Sequence, residues 1–305
     1  MMLNPILSFS ATRRMRTFRT LLIAGAYAGV LLVIALAMMG GFFGSQASLS
    51  AMSGGMDCYA VMMAAQFVLL VLIAPAMTSG AIAGERERQT LELLLVTQTG
   101  SFRIVLGKAM ESFALLALLI VCGLPPVCLC LLMGGISFVQ VLLGEAFLLS
   151  VAFGAVCVGI FCSALSRGTM MSTVLSYLML LGIGALTALP FLLGYPQRIT
   201  DVVYDAAAYA DLTAAGALAM ISPLLLLNPA YGFTALIQGQ TMVLGTGMEY
   251  RSWGRVLCTW LVMERAGCEK VALLSAGAIV LAGLVLLVPA ALLVRPRDRK
   301  IKQKG

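Results

Sequence analysis

Histidine is missing from all 305 residues of this chain, and its absence narrows the chemistry that the chain can perform. Imidazole is the commonest general base, the partner that activates serine nucleophiles, and the commonest metal ligand. The sequence also contains no GxxxxGK[ST] phosphate loop, the motif by which P-loop ATPases hold ATP. The sequence therefore predicts a protein that is not an enzyme and has no P-loop of its own.

Charge is scarce as well. Asp, Glu, Lys and Arg make up 11% of the chain and hydrophobic residues 61%, and the mean hydropathy is +1.02. A soluble domain is ordinarily about one quarter charged, so these values indicate an integral membrane protein. A membrane-spanning helix needs roughly 20 mostly apolar residues. Six runs are long enough: 21–40, 60–83, 109–133, 141–165, 170–194 and 271–294.

The fold class follows from the requirement that backbone hydrogen bonds be satisfied within lipid. Only helices and closed barrels satisfy every backbone hydrogen bond there, and the six runs lack the alternation of barrel strands. The sequence therefore predicts an all-α integral membrane protein with six transmembrane helices in a single transmembrane domain, 1–305. Within it we expect an interfacial arm at 1–20, a cytoplasmic segment at 84–108, an outer loop at 195–270 and a basic cytoplasmic tail at 295–305.

Cysteine motifs are lacking too, because none of the eight cysteines forms a CxxC pair. Most lie inside apolar runs, where a thiol behaves as a small hydrophobic group. Cys258 and Cys268 share a polar segment of the 195–270 loop and could form a disulfide if that loop is extracellular. The scattered acids of the same loop suit a solvated face better than a metal site, so no metal site is predicted.

Basic residues are present in excess, and they gather beside the predicted spans. One cluster precedes the first run and the other follows the last: Arg13, Arg14, Arg16 and Arg19, then Arg295, Arg297, Arg299, Lys300, Lys302 and Lys304. Nucleic-acid binding is the other interpretation of such clusters, but the positive-inside rule accounts for both. We expect a multi-pass protein of the plasma membrane with both termini cytoplasmic, in contact with lipid and not with nucleic acid.

One apolar segment of the outer loop, 212–227, does not fit this count. As a helix it would span only about 24 Å, and a seventh span would place the basic tail outside the cell. It is predicted to form a re-entrant or interfacial hairpin. Two carboxylates near span ends, Glu111 and Glu145, are expected to have structural or interfacial roles, since acids within a turn or two of an interface can reach water.

The stretch GAIAGERERQTLELLLVTQTG, at 80–100, places alternating charges directly after an apolar run. On a helix from 84 to about 96, Glu85 faces Arg88, and Arg88 faces Glu92. An apolar stripe would comprise Leu91, Leu94 and Leu95. The pattern indicates an amphipathic cytoplasmic helix that lies on the bilayer or docks into a groove on a partner.

This segment resembles the membrane subunits of ATP-binding-cassette (ABC) exporters of the type-2 permease family. The likeness lies in the order "ERE, two residues, TLE, LL", followed by a closing Gly-Lys. The residues that carry it are Gly84, Glu85, Arg86, Glu87, Thr90, Leu91, Glu92, Leu94, Leu95, Gly107 and Lys108. The start at Asn4 and Pro5 and the six-span layout are similar too.

The resemblance implies a permease subunit that pairs with a second permease, as a homo- or heterodimer, and with a cytoplasmic P-loop ATPase. ATP and magnesium would be used by that ATPase, with no cofactor bound directly by this chain, and an amphiphilic lipid, drug or peptide would be exported. The segment 84–108 would hold a coupling helix seated in a cleft of the ATPase. Its polar contacts or braces would be Glu85, Arg86, Glu87, Arg88, Thr90 and Glu92, and its apolar contacts Leu91, Leu94 and Leu95.

The alternative is a secondary transporter or channel driven by an ion gradient, which needs no ATPase. Such a protein normally uses buried titratable or ion-coordinating groups near the middle of the membrane. Glu111 and Glu145 are predicted near opposite membrane faces, which argues against a simple proton relay between them.

Overall fold

The computed structural model describes residues 18–44, 51–89, 101–132, 134, 136–192, 226–241 and 265–294. This part of the chain contains helices, turns and bends, and no strand. The helices are α1 Phe18–Gly44, α2 Ala51–Thr78, α3 Ala83–Glu87, α4 Ser101–Leu132, α5 Phe138–Leu165, α6 Thr169–Leu192, α7 Pro229–Thr241 and α8 Arg265–Val294. Within the described residues, six of them (all but α3 and α7) are long and apolar enough to cross a membrane. The prediction of an all-α fold is confirmed for the described residues, and their six long apolar helices suit the predicted multi-pass membrane protein.

Each predicted apolar run coincides with one long helix, but some helix ends differ. Helix α2 ends at Thr78, where the apolar run continued to 83, and α4 begins at Ser101, well before the predicted 109. Hydropathy detects only the apolar part of a helix. The backbone bonds of α4 continue into a polar first turn, where Arg103 is exposed and its side chain can reach water.

Helix α5 lies at the centre of the bundle and packs against α2, α4, α6, α7 and α8. In the most apolar stretch of α5, 72% of the residues are buried inside the bundle. The corresponding share for α6 is 11%, so α6 lies at the edge of the bundle. Two glycines let α2 approach α5 closely. A Cβ at Gly144 would overlap the Tyr59 hydroxyl and the Met63 side chain, and a Cβ at Gly159 would overlap Thr78. Small residues at such crossings favour close packing of membrane helices.

The first turn of α5 is fixed by a capping box. The Gln140 backbone N–H donates to Ser137 Oγ at 3.4 Å, and the Ser137 N–H donates to Gln140 Oε1 at 2.8 Å. Two orphan donors of the helix start are thereby satisfied. The Tyr59 hydroxyl of α2 donates to the Gln140 carbonyl at 3.0 Å, which joins the two helices at this end of the bundle.

Helix α7 lies within the predicted outer loop, yet it packs against α8 and α5. Asn228 Oδ1 accepts the backbone N–H of Ala230 at 2.9 Å and so caps the helix. The Phe233 ring stacks on Phe67 of α2 with centroids 5.4 Å apart. Part of the 195–270 region is therefore buried among the long helices, and the predicted hairpin at 212–227 lies outside the described residues except for its last two.

Other predictions fall on residues that the structure does not describe. They are the arm at 1–20 apart from its last residues, the tail at 295–305, Cys258 and the side chain of Cys268. The described cysteines are free thiols, most of them buried. The sulfur atoms of Cys58 on α2 and Cys130 on α4 lie 3.3 Å apart.

Candidate functional site

The helix that forms in the charged segment after α2 ends earlier than the periodicity of the sequence predicts. Helix α3 ends at Glu87, and Gln89 has a φ of 57°, in the left-handed region where a right-handed helix cannot continue. The predicted continuous helix from 84 to about 96 is therefore wrong at this point. Charge periodicity alone did not anticipate the break, because the side chains of α3 bond to other helices, and tertiary contacts override local propensity.

Arg86 joins α3 to the end of α5. Its Nη1 donates to the Ser166 carbonyl at 2.6 Å, and its Nη2 donates to the Ala164 carbonyl at 3.1 Å. The last carbonyls of a helix have no partner within the helix, and the helix dipole places partial negative charge there. The guanidinium group thus satisfies two such carbonyls and places a positive charge at the favourable end.

Glu87, the next residue, makes the reciprocal contact with the start of α6. Its Oε1 accepts the Thr169 backbone N–H at 2.8 Å, and its Oε2 accepts the Thr169 hydroxyl at 3.0 Å. A carboxylate at a helix N-terminus satisfies an orphan donor and complements the dipole. Gly168 makes this approach possible, since a Cβ there would lie 3.0 Å from Glu87 Oε1.

Ser163 of α5 anchors the backbone of the same segment. Its Oγ accepts the N–H groups of Ile82 and Ala83 at 3.0 and 2.9 Å, and its hydroxyl donates to the Ser79 carbonyl at 2.7 Å. Ser163 is fully buried. One hydroxyl therefore satisfies three backbone groups in the turn between α2 and α3.

Glu85 connects the segment to α4. Its Oε1 lies 2.6 Å from Lys108 Nζ, and the same ammonium lies 3.7 Å from Glu111 Oε2. The Glu85 and Lys108 side chains are 20% and 18% exposed. This ion pair is thus better shielded from water than a surface pair, for which typical energies are 0 to about 1 kcal/mol.

We call this set of contacts the polar junction. It consists of Ser79, Glu85, Arg86, Glu87, Lys108, Glu111, Ser163, Ser166 and Thr169. The junction ties the end of α2 to the ends of α4, α5 and α6 through one short segment. Its contacts are hydrogen bonds and ion pairs. Among the described residues, no group of three His, Cys, Asp or Glu side chains could hold a metal ion.

The structure brings three of the predicted site residues together, and it shows them bonded within the chain. Glu85, Arg86 and Glu87 belong to the polar junction, whereas Arg88 is exposed at its edge. The remaining predicted interface residues lie outside the described part of the chain: Thr90, Leu91, Glu92, Leu94 and Leu95. Their predicted role at an interface with an ATPase stays a prediction.

Sequence reasoning missed the other half of the junction. Ser163 and Thr169 flank the turn at 166–168, which the predicted topology places on the same side of the membrane as 84–108. Their predicted position on one side of the membrane indicates that the turn at 166–168 and the segment 84–108 can come into contact. Nothing in the residues around Ser163 indicates that its hydroxyl bonds a distant turn, because serine hydroxyls in apolar helices commonly bond a carbonyl of their own helix.

Comparison with protein-family models and with curated proteins finds no match to this chain.

Proposed function

We propose that this chain is the permease subunit of an ABC transporter, which couples ATP hydrolysis by a separate P-loop ATPase to the export of an amphiphilic substrate. The polar junction is the observation that supports the proposal best. The segment that resembles a coupling region is bonded to three other long helices, so a force applied to it is passed to them.

The contacts suit such a transmission. Arg86 donates hydrogen bonds to the end of α5, and Glu87 accepts hydrogen bonds from the start of α6. Helix α3 is therefore bonded to both sides of the turn at 166–168. Hydrogen bonds that involve a charged group contribute about 1.5–3 kcal/mol, more than neutral ones. A displacement of α3 by a partner would therefore move α5 and α6 together and rearrange the helix faces that could line a pathway.

The two halves of the resembling motif also meet in space. Glu85 comes from the "ERE" portion and Lys108 from the closing Gly-Lys, and their charged atoms are 2.6 Å apart. This contact gives both portions a shared role in holding the start of α4 against α3. It supports, from geometry, a likeness that was drawn from sequence order alone.

The remaining architecture is consistent with the same proposal. The junction end of the bundle would face the cytoplasm, with both termini on that side and the plasma membrane around the six long helices. Helix α7, between the fifth and sixth of them, would belong to a re-entrant element. The exposed apolar faces of α1 and α6 would meet lipid or the second permease subunit.

Copurification and transport assays together test the proposal. The tagged full chain would be purified from its native membranes in mild detergent together with any bound P-loop ATPase, and placed in vesicles with a fluorescent phospholipid or a lipophilic dye as transport probe. We expect the ATPase to copurify. We also expect Arg86→Ala to retain the ATPase but lower the amount of probe transported per ATP hydrolysed.

Two further variants sharpen the test. Arg167→Ala is the matched control, because Arg167 is an exposed arginine in the very turn that Arg86 holds, and it should leave coupling unchanged. Leu91→Glu should release the ATPase if the leucine stripe docks it. Ion-gradient-driven uptake by this chain alone, with no ATPase retained, would refute the proposal and support a secondary transporter.

A further inference from the structure

Three polar side chains meet inside the bundle, away from the polar junction. Tyr27 of α1, Gln66 of α2 and Glu145 of α5 are 3%, 0% and 4% exposed, and Gln66 lies beside both of the others. Along its helix, Gln66 is about 18 Å from Thr78 at the junction end. Glu145 is thus shielded from solvent, although its place near a span end predicted contact with water.

These side chains present unpartnered polar atoms to one another. Gln66 lies within reach of a polar contact with both the Tyr27 hydroxyl and the Glu145 carboxylate, but the geometry leaves the Tyr27 hydroxyl, both polar atoms of the Gln66 amide and both Glu145 carboxylate oxygens without a well-formed hydrogen bond to any described group. Buried polar groups in native proteins are nearly always paired. An unpaired one destabilises the folded state, and an ionised carboxylate does so more strongly. Such a cluster within a membrane bundle therefore points to a ligand.

The charge of Glu145 has no basic partner in the described structure. The described charged side chains on the helices around it are those of the polar junction and Arg103, which also lies at the junction end of α4. The described part of α8 from Ala272 onward carries no charge. The other described ionisable side chains on α5 and the helices packed against it are tyrosines and cysteines: Tyr27, Cys58, Tyr59, Cys122, Cys128, Cys130, Cys157, Cys162, Tyr177 and Tyr231.

We propose that Tyr27, Gln66 and Glu145 form a binding site for one small monovalent cation, which is either a proton taken up by the carboxylate or a metal ion such as Na⁺ or K⁺. A single carboxylate balances a single positive charge, whereas calcium sites use several acidic and carbonyl oxygens. The carboxylate, amide and phenol oxygens are the hard donors that such ions accept.

Close packing restricts the size of the ligand. A Cβ at Gly123 of α4 would overlap the Gln66 amide nitrogen, and it would lie 3.2 Å from both the Tyr27 ring and Leu31. Even a methyl group does not fit on that side of the cluster. A bulky organic amine is therefore a poor match, whereas a proton needs no space of its own and a bare ion needs far less than an amine.

Binding at this site links three transmembrane helices. A ligand that binds the packed arrangement and not a separated one stabilises the packed arrangement by mass action. A cation bound between α1, α2 and α5 therefore favours their closed packing, and separation of these helices favours its release. This proposal goes beyond the permease proposal and does not depend on it, because it requires no ATPase.

Thermal unfolding of the purified full chain in detergent tests the site. The Tm would be measured at mildly acidic and mildly alkaline pH with choline as the only cation, and again after NaCl or KCl replaces choline chloride at equal ionic strength. For the wild type we expect the lowest Tm in alkaline choline buffer and a rise of several degrees when a suitable cation is supplied. A rise with acid alone identifies the proton, and a rise with Na⁺ or K⁺ identifies the metal ion.

Three variants complete the design. The glutamine of Glu145→Gln carries no charge at any pH. The Tm of this variant should therefore lack the wild-type rise with acid or with added Na⁺ or K⁺, and in alkaline choline buffer it should be at least equal to that of the wild type. Glu111→Gln is the matched control, a buried acid that has Lys108 nearby, and should keep the wild-type response. If Glu145→Gln fails to fold, Tyr27→Phe removes only one oxygen and should reduce the response.

The results that overturn the proposal are specific. One is a wild-type Tm that changes with neither pH nor cation, since a neutral molecule such as water would then satisfy the cluster. The other is a response that Glu145→Gln retains or, where that variant does not fold, that Tyr27→Phe leaves at full size. Neither result bears on whether an ATPase copurifies, so this proposal and the permease proposal fail separately.

Discussion

Replacement of Ser163 by alanine is the most direct test of the polar junction. The substitution removes one buried oxygen and leaves the Ile82 and Ala83 N–H groups and the Ser79 carbonyl without their partner. At about 1 kcal/mol or more for each buried group left unpaired, the expected loss is roughly 3 kcal/mol. The side chain is otherwise nearly unchanged in volume, so packing defects contribute little.

The free energy of unfolding would be measured by titration with SDS in mixed micelles, with helix content followed by circular dichroism. Ser150→Ala is the matched control on the same helix. Its hydroxyl donates only to the Phe147 carbonyl at 2.6 Å, and that carbonyl keeps its place in the helical hydrogen-bond ladder. A loss for Ser163→Ala that is no larger than the loss for Ser150→Ala would refute the role assigned to Ser163.

Two further predictions concern other contacts of the bundle. Gly159→Ala should destabilise the protein by about 1–3 kcal/mol, because its methyl group would overlap Thr78. Gly182→Ala, with no neighbouring atom within 4 Å, is the control and should be near neutral in the same SDS titration. Equal effects of the two substitutions would contradict the close crossing of α2 and α5 at Gly159. In a double-mutant cycle, Glu85→Ala and Lys108→Ala should couple by about 0.5–1 kcal/mol, since the pair is 2.6 Å apart and shielded. Strictly additive losses would mean that the ion pair contributes nothing.

The number and nature of the long helices could be predicted without coordinates. A bilayer imposes a fixed thickness and leaves no water for the backbone, so the length of an apolar run is nearly sufficient to predict a helix. The pattern was less informative at helix ends and in the charged segment. It predicted a helix from 84 to about 96, whereas α3 ends at Glu87 and Gln89 has a left-handed backbone. Nor did it predict that Arg86 and Glu87 bond the ends of other helices.

By itself, the sequence determined that the long elements are apolar helices of a length that suits a membrane, and its charges marked 85–88 as a polar interruption between two of them. Only the tertiary structure decided what that segment touches, and that Glu145 is buried beside Gln66 and Tyr27. The physical reason is that hydropathy and charge patterns describe residues that are neighbours along the chain. Hydrogen bonds and ion pairs depend instead on which helix faces come together, and Ser163 and Ser79, far apart in sequence, meet only after α2 has packed against α5.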